Sequence, residues 1–117
     1  MATFEIDGGD LRLRLSLLEK IEAAHGDVRV SLASLQDVRT VATAWPELRG
    51  IRAPGTGLPN VIAVGTRRGP FGRDFAVVHG KGPAVVVELE AARYERLIVT
   101  TADADGTAAT IRGNMHR

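Results

Sequence analysis

The sequence predicts a mainly β domain: a partly open barrel of two antiparallel sheets with about seven strands, capped by a C-terminal α-helix. Three observations predict it. Apolar and polar residues alternate with a period of two in several short runs, as half-buried strands require. Turns rich in glycine and proline separate the runs. No alternation of strands with crossover helices is present. The length of 117 residues suits a single domain over 1–113, with a flexible tail at 114–117.

A hairpin and a short helix are predicted first. An Asp-Gly-Gly-Asp turn at 7–10 separates two alternating runs, and the second run places three leucines on one face. Ser16 and Glu19 have the spacing of a capping box and predict a helix at about 17–25, ended by Gly26. An irregular continuation of the strand is the alternative, because so short a helix is marginal by itself. The apolar residues that share one face of this helix are Leu17, Leu18, Ile21 and Ala24.

The middle of the chain predicts two strands and a long loop. Alternating and β-branched residues indicate strands at 28–32 and 36–42, and a short 3₁₀ turn is expected at 45–48. Residues 50–60 contain three glycines and two prolines. We therefore expect them to form an irregular loop, and such long loops often carry function.

The rest of the chain predicts four further strands and the final helix. The strands are expected at 61–66, 75–78, 84–89 and 96–100, with turns at 67–73 and 79–83. Asp103 is placed to cap a helix over 104–112, and Ala108 and Ile111 are expected to face the core.

Composition excludes several classes of function. Fifteen basic and fourteen acidic residues give a net charge of +1, which argues against specific nucleic-acid binding. With no cysteine and three scattered histidines, the sequence predicts neither a metal site nor a cofactor. The first residues do not resemble a secretion signal, and no apolar run approaches the ~20 residues of a membrane helix. We therefore expect a cytoplasmic protein without a transmembrane segment.

The best candidate binding surface is an arginine-rich segment. Residues 48–73 contain five arginines and no acidic residue, a local charge of +5. Guanidinium groups bind carboxylates and phosphates in bidentate fashion, and Trp45 could line one side of such a site. The alternative is that the loop only covers one end of the barrel while its arginines pair with Glu47 or Asp74. The candidate ligand-binding arginines are Arg49, Arg52, Arg67, Arg68 and Arg73.

Two weaker groupings could support acid–base catalysis. Asp74 and His79 lie on one predicted hairpin and could form a carboxylate–imidazole pair. Glu88 and Glu90 are two residues apart, which places them on one face of a strand. The simpler interpretation is an exposed turn histidine and the solvent side of a strand.

Three segments resemble the bacterial pleckstrin-homology-like (PH-like) domain family of small actinobacterial proteins. They are residues 28–38 (VRVSLASLQDV), 48–59 (LRGIRAPGTGLP) and 97–103 (LIVTTAD), the last followed by a short helix. The resemblance implies two nearly orthogonal sheets with the last helix closing one end. This superfold hosts lipid, peptide and protein binders, so the fold alone does not select a function.

Binding of inositol lipids is not expected. Members that bind phosphoinositides have a basic first hairpin, and Arg12 and Arg14 fit that pattern. Here, however, the hairpin loop carries Asp7 and Asp10, which would repel a phosphorylated head group.

The sequence thus predicts a small PH-like binding module that recognises a protein partner or an anionic ligand through the face formed by 49–73. The alternative is a small cofactor-independent enzyme with a pocket at the barrel mouth. A homodimer formed through an exposed strand edge is a further alternative.

Overall fold

The computed structural model describes residues 2–115, with residues 53 and 54 described by their backbone alone. The described residues form nine strands in two sheets, together with two α-helices. Single 3₁₀ turns occur at Leu32–Ser34 and Trp45–Glu47. In chain order the elements are β1 (Thr3–Asp7), β2 (Asp10–Arg14), α1 (Leu17–Ala23), β3 (Val28–Ser31), β4 (Leu35–Val41), β5 (Ile51–Leu58), β6 (Ile62–Gly69), β7 (Gly72–His79), β8 (Ala84–Leu89), β9 (Arg96–Thr100) and α2 (Ala104–Arg112).

The small sheet has the antiparallel order β1-β2-β3. The predicted first hairpin is confirmed, with Phe4 opposite Leu13 and Ile6 opposite Leu11. Gly8 adopts a φ of 61°, a turn conformation that suits glycine. Leu11 and Leu13 are fully buried, so this sheet covers the main core.

The large sheet has the order β4-β8-β9-β7-β6-β5 and ends at two free edges. Neighbouring strands are antiparallel except for β7 and β9, which run parallel. The expectation of purely antiparallel sheets therefore needs correction. The reason is that the chain reverses between β7 and β8 and again between β8 and β9, so β9 runs in the direction of β7. Leu97, Ile98 and Val99 are buried on both faces of β9. A strand that is apolar on both faces belongs in the middle of a sheet, and β9 lies between β7 and β8.

Each face of the large sheet carries its own core. One face packs under the small sheet and α2, with Phe75, Val77 and Ile111 among its buried residues. On the other face a second cluster is covered by the segment 42–50, which contributes Ala44, Trp45 and Leu48. The mainly β class, the two sheets and the C-terminal helix are thus confirmed, although the strands number nine in the described residues rather than about seven.

The prediction of an irregular loop at 50–60 is wrong, because β5 occupies most of this segment. β5 is an edge strand paired only with β6, and its register shifts between Arg52 and Gly55. An edge strand tolerates glycine and proline because one row of its backbone groups needs no partner strand. The expected turn at 67–73 is shorter than predicted: Arg67 and Arg68 belong to β6, and Arg73 belongs to β7.

Helix α1 confirms its predicted capping box and differs at its other end. Ser16 Oγ accepts from the Glu19 N–H, and the Glu19 carboxylate accepts from the Ser16 N–H. The helix ends at Ala24, which adopts a left-handed φ of 52°, rather than at Gly26. Its apolar face is exposed, because α1 packs on the protein through Glu19 and Ala23.

At the C-terminus, α2 is capped by Asp103 as predicted, and Ala108 and Ile111 are buried in the main core. Met115 was expected in a flexible tail, but it is only 8% exposed and packs into the same core. Residues 116 and 117 of that tail lie outside the described residues. Neither α1 nor α2 has the length and apolar character that a membrane-crossing helix needs, and 2–115 contain no other α-helix.

Candidate functional site

A row of charged residues crosses the large sheet beside the second core. Strand register places Arg52 opposite Arg67, Arg67 opposite Asp74, Asp74 opposite Arg96, and Arg96 opposite Glu88. Five adjacent strands therefore each contribute one charged side chain. Directly opposed side chains point to the same face of a sheet, so the five side chains of the row share one face.

Asp74, in the middle of this row, forms a buried ion pair with Arg49, which precedes β5. Arg49 donates from Nε to Asp74 Oδ2 at 2.7 Å and from Nη2 to Oδ1 at 3.1 Å. Its guanidinium also lies 3.9 Å from the centre of the Phe71 ring. The hydrogen bond to Asp74 is the main cause that raises the pKa of Arg49. Since the Asp74 side chain is 0% exposed, Arg49 neutralises a buried carboxylate. This is the alternative in which an arginine of the segment pairs with Asp74 instead of binding a ligand.

Glu88 is enclosed in a second set of ion pairs. Arg96 Nε lies 3.0 Å from Glu88 Oε2, and Arg39 Nη2 lies 3.3 Å from the same oxygen. Arg39 also binds Glu47 at 2.5 Å. Glu90 is exposed beyond the end of β8. The two glutamates proposed for acid–base work therefore do not form a shared site.

The proposed pair of Asp74 and His79 is not formed. The two residues are five positions apart on β7, and an odd separation directs side chains to opposite faces. His79 Nε2 instead lies 3.0 Å from Oε2 of Glu19, which is only 3% exposed. Sequence analysis missed this partner because Glu19 was already assigned a role in the capping box.

The carboxylate of Glu19 holds several elements together. It accepts from the backbone N–H groups of Ser16, at 2.8 Å, and Ala2, at 3.1 Å, as well as from His79. Burial is the largest single influence and raises the pKa of Glu19. The hydrogen bonds from Ser16 and His79 together outweigh it, so the pKa is lowered overall. Glu19 is therefore a carboxylate that links α1, the chain start and β7.

Trp45 has a packing role beside the second core. Its indole N–H donates to the carbonyl of Gly80 at 2.8 Å, which ties the segment 42–50 to the turn between β7 and β8.

Arg52 and Arg67 differ from the paired arginines. Arg67 donates to the carbonyls of Arg49, at 2.9 Å, and Gly50, at 3.1 Å, while Arg52 makes only a 3.4 Å contact with the carbonyl of Gly57. Within residues 2–115 neither makes an ion pair. The pKa of Arg67 is lowered, mainly by burial and also by the positive charge of Arg52. The negative charge of Asp74 opposes this shift but does not cancel it.

The five predicted arginines are thus divided between two faces. Arg68 and Arg73 oppose each other on β6 and β7, one position away from Arg67 and Asp74 in their strands. Since adjacent positions alternate, they point to the other face of the sheet.

A shallow depression lies beside the two unpaired guanidinium groups. It encloses no space large enough for a water molecule and is lined by Arg52, Thr56, Gly65, Arg67 and Ala76, among others. The small residues Gly65 and Ala76 leave the sheet surface low at this point.

Comparisons of the chain with protein-family models, curated proteins and solved structures found no match, so its likeness to the PH-like family stays a prediction.

Proposed function

We propose that the protein is a binding module that takes up an acidic group, a carboxylate or a phosphate, between Arg52 and Arg67. The observation that supports it most is that Arg52 and Arg67 occupy opposed positions of β5 and β6 and that neither has a carboxylate partner in the described chain. By contrast, Arg49, Arg39 and Arg96 on the same face each form an ion pair.

Electrostatics favours an anion at this position. Like charges directly opposite on neighbouring strands destabilise a sheet, and Arg67 is also partly desolvated. An anion between them replaces the repulsion by charge-assisted hydrogen bonds, each contributing about 1.5–3 kcal/mol. Binding would therefore also raise the pKa of Arg67 towards its ordinary value.

The geometry favours the terminal group of a larger ligand. The depression is shallow, and Arg52 is exposed, so a small molecule would not be enclosed. A carboxylate or phosphate could accept from both guanidinium groups while the rest of its carrier remains outside. An enzymatic role has less support, because Asp74 and Glu88 are occupied by ion pairs.

Nuclear magnetic resonance titration at low salt tests this proposal. Inorganic pyrophosphate represents the phosphate group, and citrate represents the carboxylate. We expect chemical-shift changes centred on Arg52, Thr56 and Gly65, and the probe with the larger effect identifies the preferred anion. Arg52→Gln should weaken binding by about tenfold.

Arg73→Gln is the matched control. It removes the same charge from the opposite face and should change the dissociation constant less than twofold. Equal weakening by both variants would indicate a diffuse charge effect and would overturn the proposal, as would an absence of localised shifts for both probes at millimolar concentration.

A further inference from the structure

The exposed face of α1 carries three of the six large apolar side chains that are exposed in the described chain. Leu17, Leu18 and Ile21 are 76%, 64% and 69% exposed. Nearby, the turn between β5 and β6 carries exposed Leu58 and Val61. Isolated exposed leucines are ordinary, but a group of this kind marks an interaction site more often than not.

The helix and the turn form one surface. Thr56 Oγ1 on β5 donates to the Glu22 carbonyl of α1 at 2.9 Å, which holds the helix against the edge strand. The Gly80 N–H, next to His79, donates to the Val61 carbonyl at 2.8 Å. His79 is in turn bonded to Glu19 of the helix. These contacts place the apolar residues around one side of α1.

An acidic cavity adjoins this apolar surface. It has a volume of about 240 Å³ and is lined by Ser16, Leu18, Glu19, Glu22 and His79. Glu19 is bonded to His79, whereas Glu22 makes no ion pair among residues 2–115, so Glu22 is the negative charge that this cavity offers. Lys20, on the other side of the helix, lies 3.8 Å from Asp27 and so does not neutralise it.

Glu22 has an unused acceptor in this cavity wall. Its Oε1 is buried and has no hydrogen-bond partner among residues 2–115. A buried acceptor without a donor destabilises the protein, and a turn of the Glu22 carboxylate toward a donor at the surface removes that cost. A metal ion does not fit this description, since no three metal-ligating side chains converge in the described chain.

We infer that α1, the β5–β6 turn and the acidic cavity together bind a short segment of another protein, one with apolar side chains next to a lysine or arginine. The apolar residues would cover Leu17, Leu18 and Ile21, and the basic group would donate to Glu22. Charge complementarity selects this occupant. The size of the surface agrees: α1 is about 10 Å long, so the patch offers a few hundred Å², below the ~800 Å² per partner of a stable dimer.

Peptide selection tests the inference. Random twelve-residue peptides displayed on phage are selected against the full chain, and enriched sequences should combine at least two large apolar residues with a lysine or arginine. Fluorescence anisotropy of the best peptide then gives its dissociation constant. Ile21→Ser should weaken binding at least tenfold, and Glu22→Gln about fivefold. When the basic residue of the peptide is replaced by methionine, the wild-type protein and the Glu22→Gln variant should bind that peptide with the same dissociation constant.

Ile51→Ser is the matched control. Ile51 is as exposed as Leu17, but it lies seven residues from Leu58 along β5, about 20 Å away. It should leave the affinity unchanged. Peptides without a basic residue, or an affinity insensitive to Glu22→Gln, would contradict the inference. Sedimentation that shows a dimer, dissociated by Ile21→Ser, would also contradict it, because a second copy of the chain would then be the occupant. Flotation with phosphatidylcholine vesicles, abolished by Ile21→Ser, would identify a lipid surface as the occupant instead.

Discussion

At the scale of single residues, the buried carboxylate of Asp74 depends on one partner. Both of its oxygens accept from Arg49, whose side chain is 32% exposed. Removing one member of such a pair leaves an uncompensated charge in a place that water reaches poorly.

We therefore expect Arg49→Met to destabilise the protein by about 3 kcal/mol. Urea unfolding measures this change. The double variant Arg49→Met/Asp74→Asn should recover much of the loss, because the amide carries no charge. A double variant less stable than Arg49→Met alone would show that hydrogen bonding at Asp74, rather than its charge, dominates.

The residues of the site could be predicted only in part. The cluster of basic residues in 48–73 was visible in the sequence, and so was the possibility of pairing with Asp74. Which arginine pairs depends on the register of β5, β6 and β7, and that register is a long-range property. The Glu19–His79 contact joins residues 60 positions apart, so no local pattern could indicate it.

At the scale of elements, the two helices end in different ways. α1 ends at Ala24 in the left-handed region, where a Cβ atom is unfavourable by about 1–2 kcal/mol. In α2, Ala109 is exposed within the helix. The same substitution should therefore have opposite effects at the two positions.

Ala24→Gly should stabilise the protein by about 1 kcal/mol, which corresponds to a rise of roughly 4 °C in Tm. Ala109→Gly should destabilise it by about 0.5–1 kcal/mol. Thermal unfolding followed by circular dichroism measures both. A lower Tm for Ala24→Gly would mean that flexibility gained in the unfolded chain outweighs the relief at the helix end.

Elements with regular alternation were predictable, whereas those set by their neighbours were not. The first hairpin and α2 follow from alternation and capping residues, which act within a few positions. β5 was missed because glycine and proline disfavour strands, and pairing with β6 overrides that preference at an edge. The exposed face of α1 was equally invisible, since the pattern of an apolar stripe does not say what covers it.

At the scale of the whole molecule, two carboxylates connect α1 to the rest of the fold: the buried Glu19, and the half-buried Asp27, which lies 3.8 Å from Lys20 of α1. Asp27 accepts from the Leu15 N–H at 2.9 Å and from Arg12 at 2.8 Å. The bond from Leu15 is the main cause that lowers the pKa of Asp27, with burial opposing it. The pKa of Glu19 is lowered as well, despite its burial.

These two shifts predict loss of stability in acid. A carboxyl group with a lower pKa in the folded state contributes stability that is complete above its unfolded pKa of about 4 and disappears as the pH falls through the folded value. The urea midpoint should be constant from neutral pH to about 5 and decrease below it. Asp27→Asn should flatten this decrease, whereas Asp37→Asn, which changes an exposed side chain of β4, should not. An unchanged slope in Asp27→Asn would assign the acid sensitivity to other groups.

The central position of β9 has a consequence for synthesis. Without it, β4 and β8 form one ribbon and β5, β6 and β7 form another, and no hydrogen-bonded ladder joins the two. β9 follows all five of these strands in the chain, so the nascent chain carries two open strand edges until β9 emerges from the ribosome. The large sheet is therefore completed only when β9 has been synthesised, and a chain that stops before β9 exposes edges prone to aggregation.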